Sequence, residues 1–210
     1  DALRHYGIQA GFYIPNRFAE GYGLQKHTVE LAHEKGYSLL ITVDNGVKAL
    51  DALTEARNRG VDVIVTDHHA MDDEFPCLYL LHPFLMGERF ETLSGAGVAL
   101  EISRALLWEV KEHVVLACVA AIADVMPLRQ ETRAIVQLGL QYLRQGICQP
   151  IQLLANDRYT KWDETLIAFQ IVPKLNTTGR LADIANANNT VRYLLSTNLE
   201  QLQHMAKQIQ

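Results

Sequence analysis

Four consecutive residues, Thr66-Asp67-His68-His69, stand at the end of the apolar run Val61-Asp62-Val63-Ile64-Val65. A carboxylate beside two imidazoles can hold a divalent cation and relay protons. The same residues also fit a polar loop with two surface histidines, because short motifs recur by chance. A second apolar run, Ser38-Leu39-Leu40-Ile41-Thr42-Val43, ends in the same manner, at Asp44-Asn45-Gly46. A third stretch, mostly apolar from 113 to 123, ends in Ala123-Asp124-Val125-Met126-Pro127-Leu128. A carboxylate between apolar stretches needs a partner or a metal. The competing role for Asp124 is N-cap of the next helix, with Pro127 nearby.

Whether these acids meet depends on the elements that carry them. The run 61–65 is short, β-branched and preceded by Gly60, which predicts a buried strand of a parallel sheet. Ligands of such sheets bind beyond the carboxyl ends of the strands. Between the two runs the sequence predicts a helix over 47–59, with Val47, Leu50, Leu53 and Ala56 on one face and Gly60 as its stop. A right-handed βαβ crossover places both strand ends on one edge, so Asp44 and Asp67-His68-His69 are expected to share a site.

Further strands are predicted over 9–14 and 77–81, and a helix over 25–35. A loop over 70–76 carries Asp72, Asp73 and Glu74. Helices follow over about 95–110, 113–123, 130–144, 148–155, 163–171, 184–196 and 198–210. The fold class is therefore α/β, a mainly parallel sheet flanked by helices, with a helical C-terminal part. No linker-like tract divides it, so one domain is expected. His5, His27, His33, His113 and His204 lie on predicted helices without evident partners and read as structural or surface residues. Val191, Leu194 and Leu195 read as core.

The 210 residues, 49% of them hydrophobic, suffice for one sizeable core. No apolar run reaches the roughly 18 residues of a membrane span. Three cysteines, Cys77, Cys118 and Cys148, show no Cys-x-x-Cys spacing, as expected of reduced thiols in a cytoplasmic protein. A net charge of −5 is unlike a stand-alone nucleic-acid module. Either basic contacts lie outside this chain, or the excess acid marks a metal site. Hard oxygen ligands with an imidazole suit Mn²⁺ or Mg²⁺.

The segments together resemble the DHH phosphoesterase superfamily and, within it, the RecJ-type single-strand-specific exonucleases. The resemblance rests on several segments in order: Tyr13-Ile14-Pro15-Asn16-Arg17-Phe18-Ala19-Glu20-Gly21-Tyr22-Gly23-Leu24, Val43-Asp44-Asn45-Gly46 and Thr66-Asp67-His68-His69. Beyond these lie Leu93-Ser94-Gly95-Ala96-Gly97-Val98-Ala99, Ile122-Ala123-Asp124-Val125-Met126-Pro127-Leu128 and Pro173-Lys174-Leu175-Asn176-Thr177-Thr178-Gly179-Arg180-Leu181. Some residues depart from the family pattern. The Asp-x-Asp-x-Asp-Gly strand end of the first motif is absent. His82 precedes Pro83 where Asn is common, Thr177 stands where Ala is usual, and Gln130-Glu131-Thr132 replaces Gly-Glu-Asn. The chain reads as starting after the first strand and stopping in a helical segment, as in a fragment: an incomplete catalytic domain over 1–196 and the start of a helical connector over 197–210.

The resemblance implies metal-dependent 5′→3′ hydrolysis of phosphodiester bonds in single-stranded DNA, in repair and recombination. It implies single-strand-binding protein and a recombination helicase as partners, and no membrane. By the same resemblance, Asp44 bridges two ions, and His68 and Asp124 complete the shell of the second. Asp67 orients His68, and His69 contacts phosphate or protonates the leaving oxygen. Arg180 and Asn176 bind substrate, against a structural turn around Gly179. Arg17 and Tyr22 lie near the single strand, against a solvated loop. Two other functions are a DHH phosphoesterase on short oligoribonucleotides or adenosine bisphosphate, and a non-catalytic scaffold. The four ligand-type residues Asp44, His68, His69 and Asp124 count against the scaffold.

Overall fold

The computed structural model describes residues 1–16, 19–71, 75, 77, 79–155, 161–180 and 187–209, with backbone alone at 177–180 and 209. The acid-rich stretch 72–74 and residue 17 lie outside the described residues.

Three parallel strands form one sheet in the order β1-β2-β3: β1 (Leu39–Ile41), β2 (Asp62–Thr66) and β3 (Tyr79–Leu81). Leu40 pairs with Val63, and Val65 with Leu80. Backbone bonds extend the β1–β2 pairing at both ends, from Asp62 N–H to Ser38 O and from Asp44 N–H to Thr66 O. β1 and β2 are joined by α3 (Leu50–Arg59), which Gly60 closes with left-handed backbone at φ 68°. The parallel pairing puts Asp44, Asp67 and His82 just beyond the carboxyl ends of the three strands.

The helix starts three residues later than its apolar pattern predicts. Its buried face is Ala52 and Ala56, with Val47 buried in the turn ahead of it, whereas Leu50 is exposed. The small residues let α3 lie close on α2 (Lys26–Glu34) and on the sheet, and Val29, Val63 and Val65 complete this core.

The predicted strand over 9–14 is not formed. No ladder partner is present beside it among the described residues. Its backbone is held instead by side chains: Arg4 donates to Ala10 O, and Asn188 Oδ1 accepts from Ile14 N–H.

The remaining helices build a second core. α5 (Gly95–Leu107), α6 (Lys111–Ala123) and α7 (Gln130–Arg144) pack on one another and bury Val98, Cys118, Ile135 and Val136. The stretch 163–171 is one α-turn, Glu164–Leu166, followed by a π-helical turn, Ile167–Ile171. It runs directly into a helix, Val172–Arg180, so the turn expected around Gly179 is helical backbone. Pro173 lacks an N–H, and the wider π-turn before it accommodates the missing hydrogen bond. Helices Ala187–Leu195 and Leu199–Ile209 follow, with Tyr193, Leu202 and Ala206 buried. Among the described residues no helix is long and apolar enough to cross a membrane.

Four histidines expected to lack partners have them. His5 lies 3.1 Å from Asp1 Oδ1, His27 2.8 Å from Glu20 and His204 3.2 Å from Gln208, and half-buried His113 lies between Ser103 Oγ at 2.7 Å and Asp1 Oδ2 at 2.8 Å.

Candidate metal centre

Asp44 begins the site. It follows β1 with φ 62°, a left-handed conformation that Asp tolerates better than most residues. Local bonds fix it there. Its N–H donates to Thr66 O at 3.0 Å, and Tyr22 Oη–H donates to its carbonyl at 3.0 Å. Asn45 pins the turn on both sides, accepting from Leu24 N–H and donating to Val43 O. Gly46 has φ 122°, and a Cβ there would lie 2.9 Å from both Thr42 Oγ1 and Val65 Cγ1. Asn45 and Gly46 thus have local reasons for their identity.

The Asp44 carboxylate packs against Gly95, the first residue of α5, where any Cβ would overlap it. That places the positive end of the α5 dipole beside the carboxylate. On its other side His68 Nε2 lies 2.9 Å from Asp44 Oδ1. Yet Oδ1 is buried and accepts no hydrogen bond among the described residues. At this distance a protonated His68 ring is ion-paired with Asp44, and a neutral ring offers Nε2 beside Oδ1 as a second ligand for one cation.

Asp124 approaches from the third side. It ends α6 and is not the cap of α7, which starts six residues later. Its Oδ2 lies 3.9 Å from His68 Nε2. A carboxylate at a helix C-terminus faces the negative end of the dipole. Burial and the charge of Asp44 push its carboxyl pKa up, against the pull of His68 and His69. The Asp44 carboxylate pushes His68 up, against its burial. Ligand atoms of Asp44, His68 and His69 all lie within 4.8 Å of one another. Two carboxylates and a helix C-terminus at one point call for a cation. Oxygen and imidazole donors fit Mn²⁺ or Mg²⁺.

Asp67 faces inward and is 1% exposed. Burial alone would raise its pKa, but the His69 ring and the N–H groups of Val47, His69 and His68 hold it below the usual carboxylate range. Its Oδ2 accepts from Val47 N–H at 3.1 Å, and its Oδ1 takes the N–H groups of His68 at 2.8 Å and His69 at 3.2 Å. The same Oδ1 lies 2.7 Å from His69 Nδ1. Asp67 therefore orients the ring of His69, whereas the sequence expectation was His68. With Nδ1–H given to Asp67, His69 Nε2 keeps its lone pair.

Tyr22 stands edge-on to His69, ring centroids 6.3 Å apart, and is more than half exposed. Asn176 is exposed on the helix Val172–Arg180. Arg180 ends that helix, its side chain among those not described, and Arg17 is outside the described residues. Sequence reasoning missed two contributors. Gly95 was legible only as part of a helix start. His82 was noted as a departure from a pattern, although its place at the end of a predicted strand was the same signal that singled out Asp44.

The family description that matches is DHH family, N-terminal domain, over residues 1–126. The chain is similar to the single-stranded-DNA-specific exonuclease RecJ of Bacillus subtilis (strain 168), 38% identical over 215 residues, covering 99% of this chain and 27% of that protein. It is also similar to the protein of that name from Escherichia coli (strain K12), 32% identical over 232 residues, covering 99% of this chain and 40% of that one. Among solved structures, exonuclease RecJ bound to manganese superposes with a TM-score of 0.88 at 33% identity, over 99% of this chain and 54% of that one. RecJ in complex with Mn²⁺ from Thermus thermophilus gives 0.84 at 30%, over 99% and 31%. The chain thus spans between about a quarter and a little over half of the length of these relatives.

Proposed function

Because the chain belongs to the DHH family, we propose that it forms the metal-binding core of a phosphodiesterase that shortens single-stranded DNA from a 5′ end. The observation that carries the proposal is the convergence beyond the sheet of Asp44, His68 and His69, whose ligand atoms lie within 4.8 Å of one another, with Asp124 Oδ2 3.9 Å from His68 Nε2. The names of the relatives supply the substrate class, and two structural relatives are described as manganese-bound.

Divalent ions in such a site activate water and neutralise charge on the phosphate. In this proposal Asp44, His68 and Asp124 would hold metal. Asp67 keeps the His69 ring fixed, so that Nε2, once it has taken up a proton, meets a phosphate oxygen or gives that proton to the leaving oxygen. Tyr22 offers an exposed ring beside His69 for stacking on a base. Arg180, Asn176 and Arg17 contact the phosphate backbone. These 210 residues hold one side of a two-ion clamp, without an Asp-x-Asp-x-Asp-Gly strand end, so the chain alone is nearly inactive. Residues 1–196 belong to the catalytic domain and 197–210 to a connector. The resemblance extends the proposal to a cytoplasmic setting, with single-strand-binding protein and a recombination helicase as partners.

The test supplies end-labelled single-stranded DNA, duplex DNA, short oligoribonucleotides and adenosine bisphosphate, with Mn²⁺ or Mg²⁺, to the chain and to its full reading frame. The proposal expects metal-dependent loss of single-stranded DNA with the full frame. Preference for the small nucleotides would replace the substrate class. Metal binding without any hydrolysis would favour the scaffold.

A further inference from the structure

His82 follows β3 as Asp44 follows β1 and Asp67 follows β2, so all three strands deliver a polar residue to the same edge. It is 6% exposed, and both ring nitrogens are engaged. Phe84 N–H donates to Nδ1 at 3.2 Å. A nitrogen that accepts carries a lone pair, so the proton of the neutral ring is on Nε2. Nε2 lies 2.9 Å from the carbonyl oxygen of His69, to which it donates.

We propose that His82 is a positioning residue that fixes the His69 peptide, and through it the His69 ring, at the metal-binding edge. The inference rests on the reading of that edge as a divalent-cation site. His69 is then held at three points. Asp67 takes its ring Nδ1–H and its backbone N–H, and His82 takes its carbonyl. Only Nε2 of the ring is left unengaged by these bonds, and a ring nitrogen of His69 lies within 4.8 Å of the ligand atoms of Asp44 and His68. Without His82 a carbonyl beside the site loses its donor, and the peptide that sets the direction of the ring is free to rotate.

The competing account makes His82 only the N-cap of the short helix Pro83–Met86. The cap uses Nδ1 alone, and the two roles use different atoms. Asn places its Oδ1 where Nδ1 lies, which preserves the cap, but it has no atom at the Nε2 position. Gln reaches the Nε2 position with a donor but does not reproduce the cap. Asn and Gln therefore separate the functions.

The experiment compares the 210-residue chain with its His82→Ala, His82→Asn and His82→Gln variants. It records Mn²⁺ affinity by water-proton relaxation, the melting temperature, and the ¹⁵N signature of the His82 ring in the unsubstituted chain. The ring should show the Nε2–H tautomer. Ala and Asn should weaken Mn²⁺ binding by about tenfold or more, because the residue that His82 anchors directly follows the ligand His68 and loss of an outer support to a metal site has that effect. Gln should restore most of the affinity although its melting temperature stays below that of Asn. If Ala does not fold, the comparison of Asn with Gln decides. Affinity unchanged in Asn would make His82 a cap only, and loss in Gln equal to that in Asn would overturn the donor role. An Nδ1–H tautomer would contradict the proposal outright. No Mn²⁺ binding by the unsubstituted chain would overturn the cation reading and this role with it, whereas normal binding by Ala would overturn the role alone.

Discussion

Gly95 and Asp44 are in contact such that no side chain fits between them: a Cβ on Gly95 would overlap the Asp44 carboxylate. Gly95→Ala should force the carboxylate or the start of α5 to move. Overpacking of this kind costs about 1–3 kcal/mol. Mn²⁺ affinity should fall together with the melting temperature. A variant that melts lower but binds Mn²⁺ normally would show that the carboxylate can move without losing its place in the site.

Val125 closes α6 in the left-handed region, at φ 54°, where a β-branched residue is strained. Its N–H donates to Ile122 O and the Met126 N–H to Ala121 O, a pair of bonds that Gly usually closes. The side chain is exposed and packs on little. Val125→Gly should therefore stabilise the chain by about 0.5–1 kcal/mol, since left-handed strain of about 1–2 kcal/mol is partly offset by unfolded-chain entropy. Thermal unfolding should shift up by about 2–4 °C per kcal/mol. A fall in melting temperature would show that the valine side chain stabilises the turn before α7.

Glu131 is buried on α7 between Arg104 and Arg89, at 2.7 and 2.6 Å. Burial alone would raise its pKa, but the two guanidinium groups outweigh that and hold it below its ordinary value. A carboxylate with a depressed folded pKa contributes stability above its unfolded value of about 4.3 and loses it as pH falls through the folded value. Melting temperature measured from pH 7 down to pH 3 should drop over that window, and less steeply in Glu131→Gln. The variant should be less stable at pH 7 by about 1–2 kcal/mol, since Arg89 is exposed and Arg104 keeps Glu101 and Glu109 while the charged hydrogen bonds to Glu131 are lost. Parallel curves for both proteins would assign the acid sensitivity to other carboxylates.

Burial pushes the Cys118 thiol up to about 12 and the Cys148 thiol up to about 11. At pH 8 both are protonated as well as covered, so a thiol-disulfide reagent should modify at most Cys77 quickly in the native chain. All three should react at once after unfolding in guanidinium. Three fast thiols in the native state would mean that the helical core opens readily.

Much of the site was legible because Asp44 and Asp67-His68-His69 each follow a short apolar run, and parallel strands bring such ends to one edge. Asp44 and His68 meet there, and Asp124 joins them from the end of helix α6 and not from a strand. What was not legible depends on side-chain direction and on contacts between distant elements. Asp67 selects His69 over His68 because its Oδ1 points back at the loop, which no spacing encodes. Leu50 is exposed because the helix starts at 50, after a turn set by Gly46. The segment 9–14 has the composition of a strand, but a strand also needs a neighbour to accept its hydrogen bonds. The helix expected to end at 171 continues, because the π-turn Ile167–Ile171 runs directly into Val172–Arg180.

The account's central claim is that Asp44, His68 and Asp124 hold a divalent cation. The most direct measurement is Mn²⁺ binding, followed by the loss of the free-ion EPR signal, in the 210-residue chain and its Asp44→Asn and Asp124→Asn variants, with folding checked by circular dichroism. The account predicts weak but saturable binding to the unsubstituted chain and its loss in Asp44→Asn, since that change removes the charge on the carboxylate between His68 and Gly95. Binding should also weaken in Asp124→Asn. Undiminished Mn²⁺ binding by a folded Asp44→Asn chain would contradict the account.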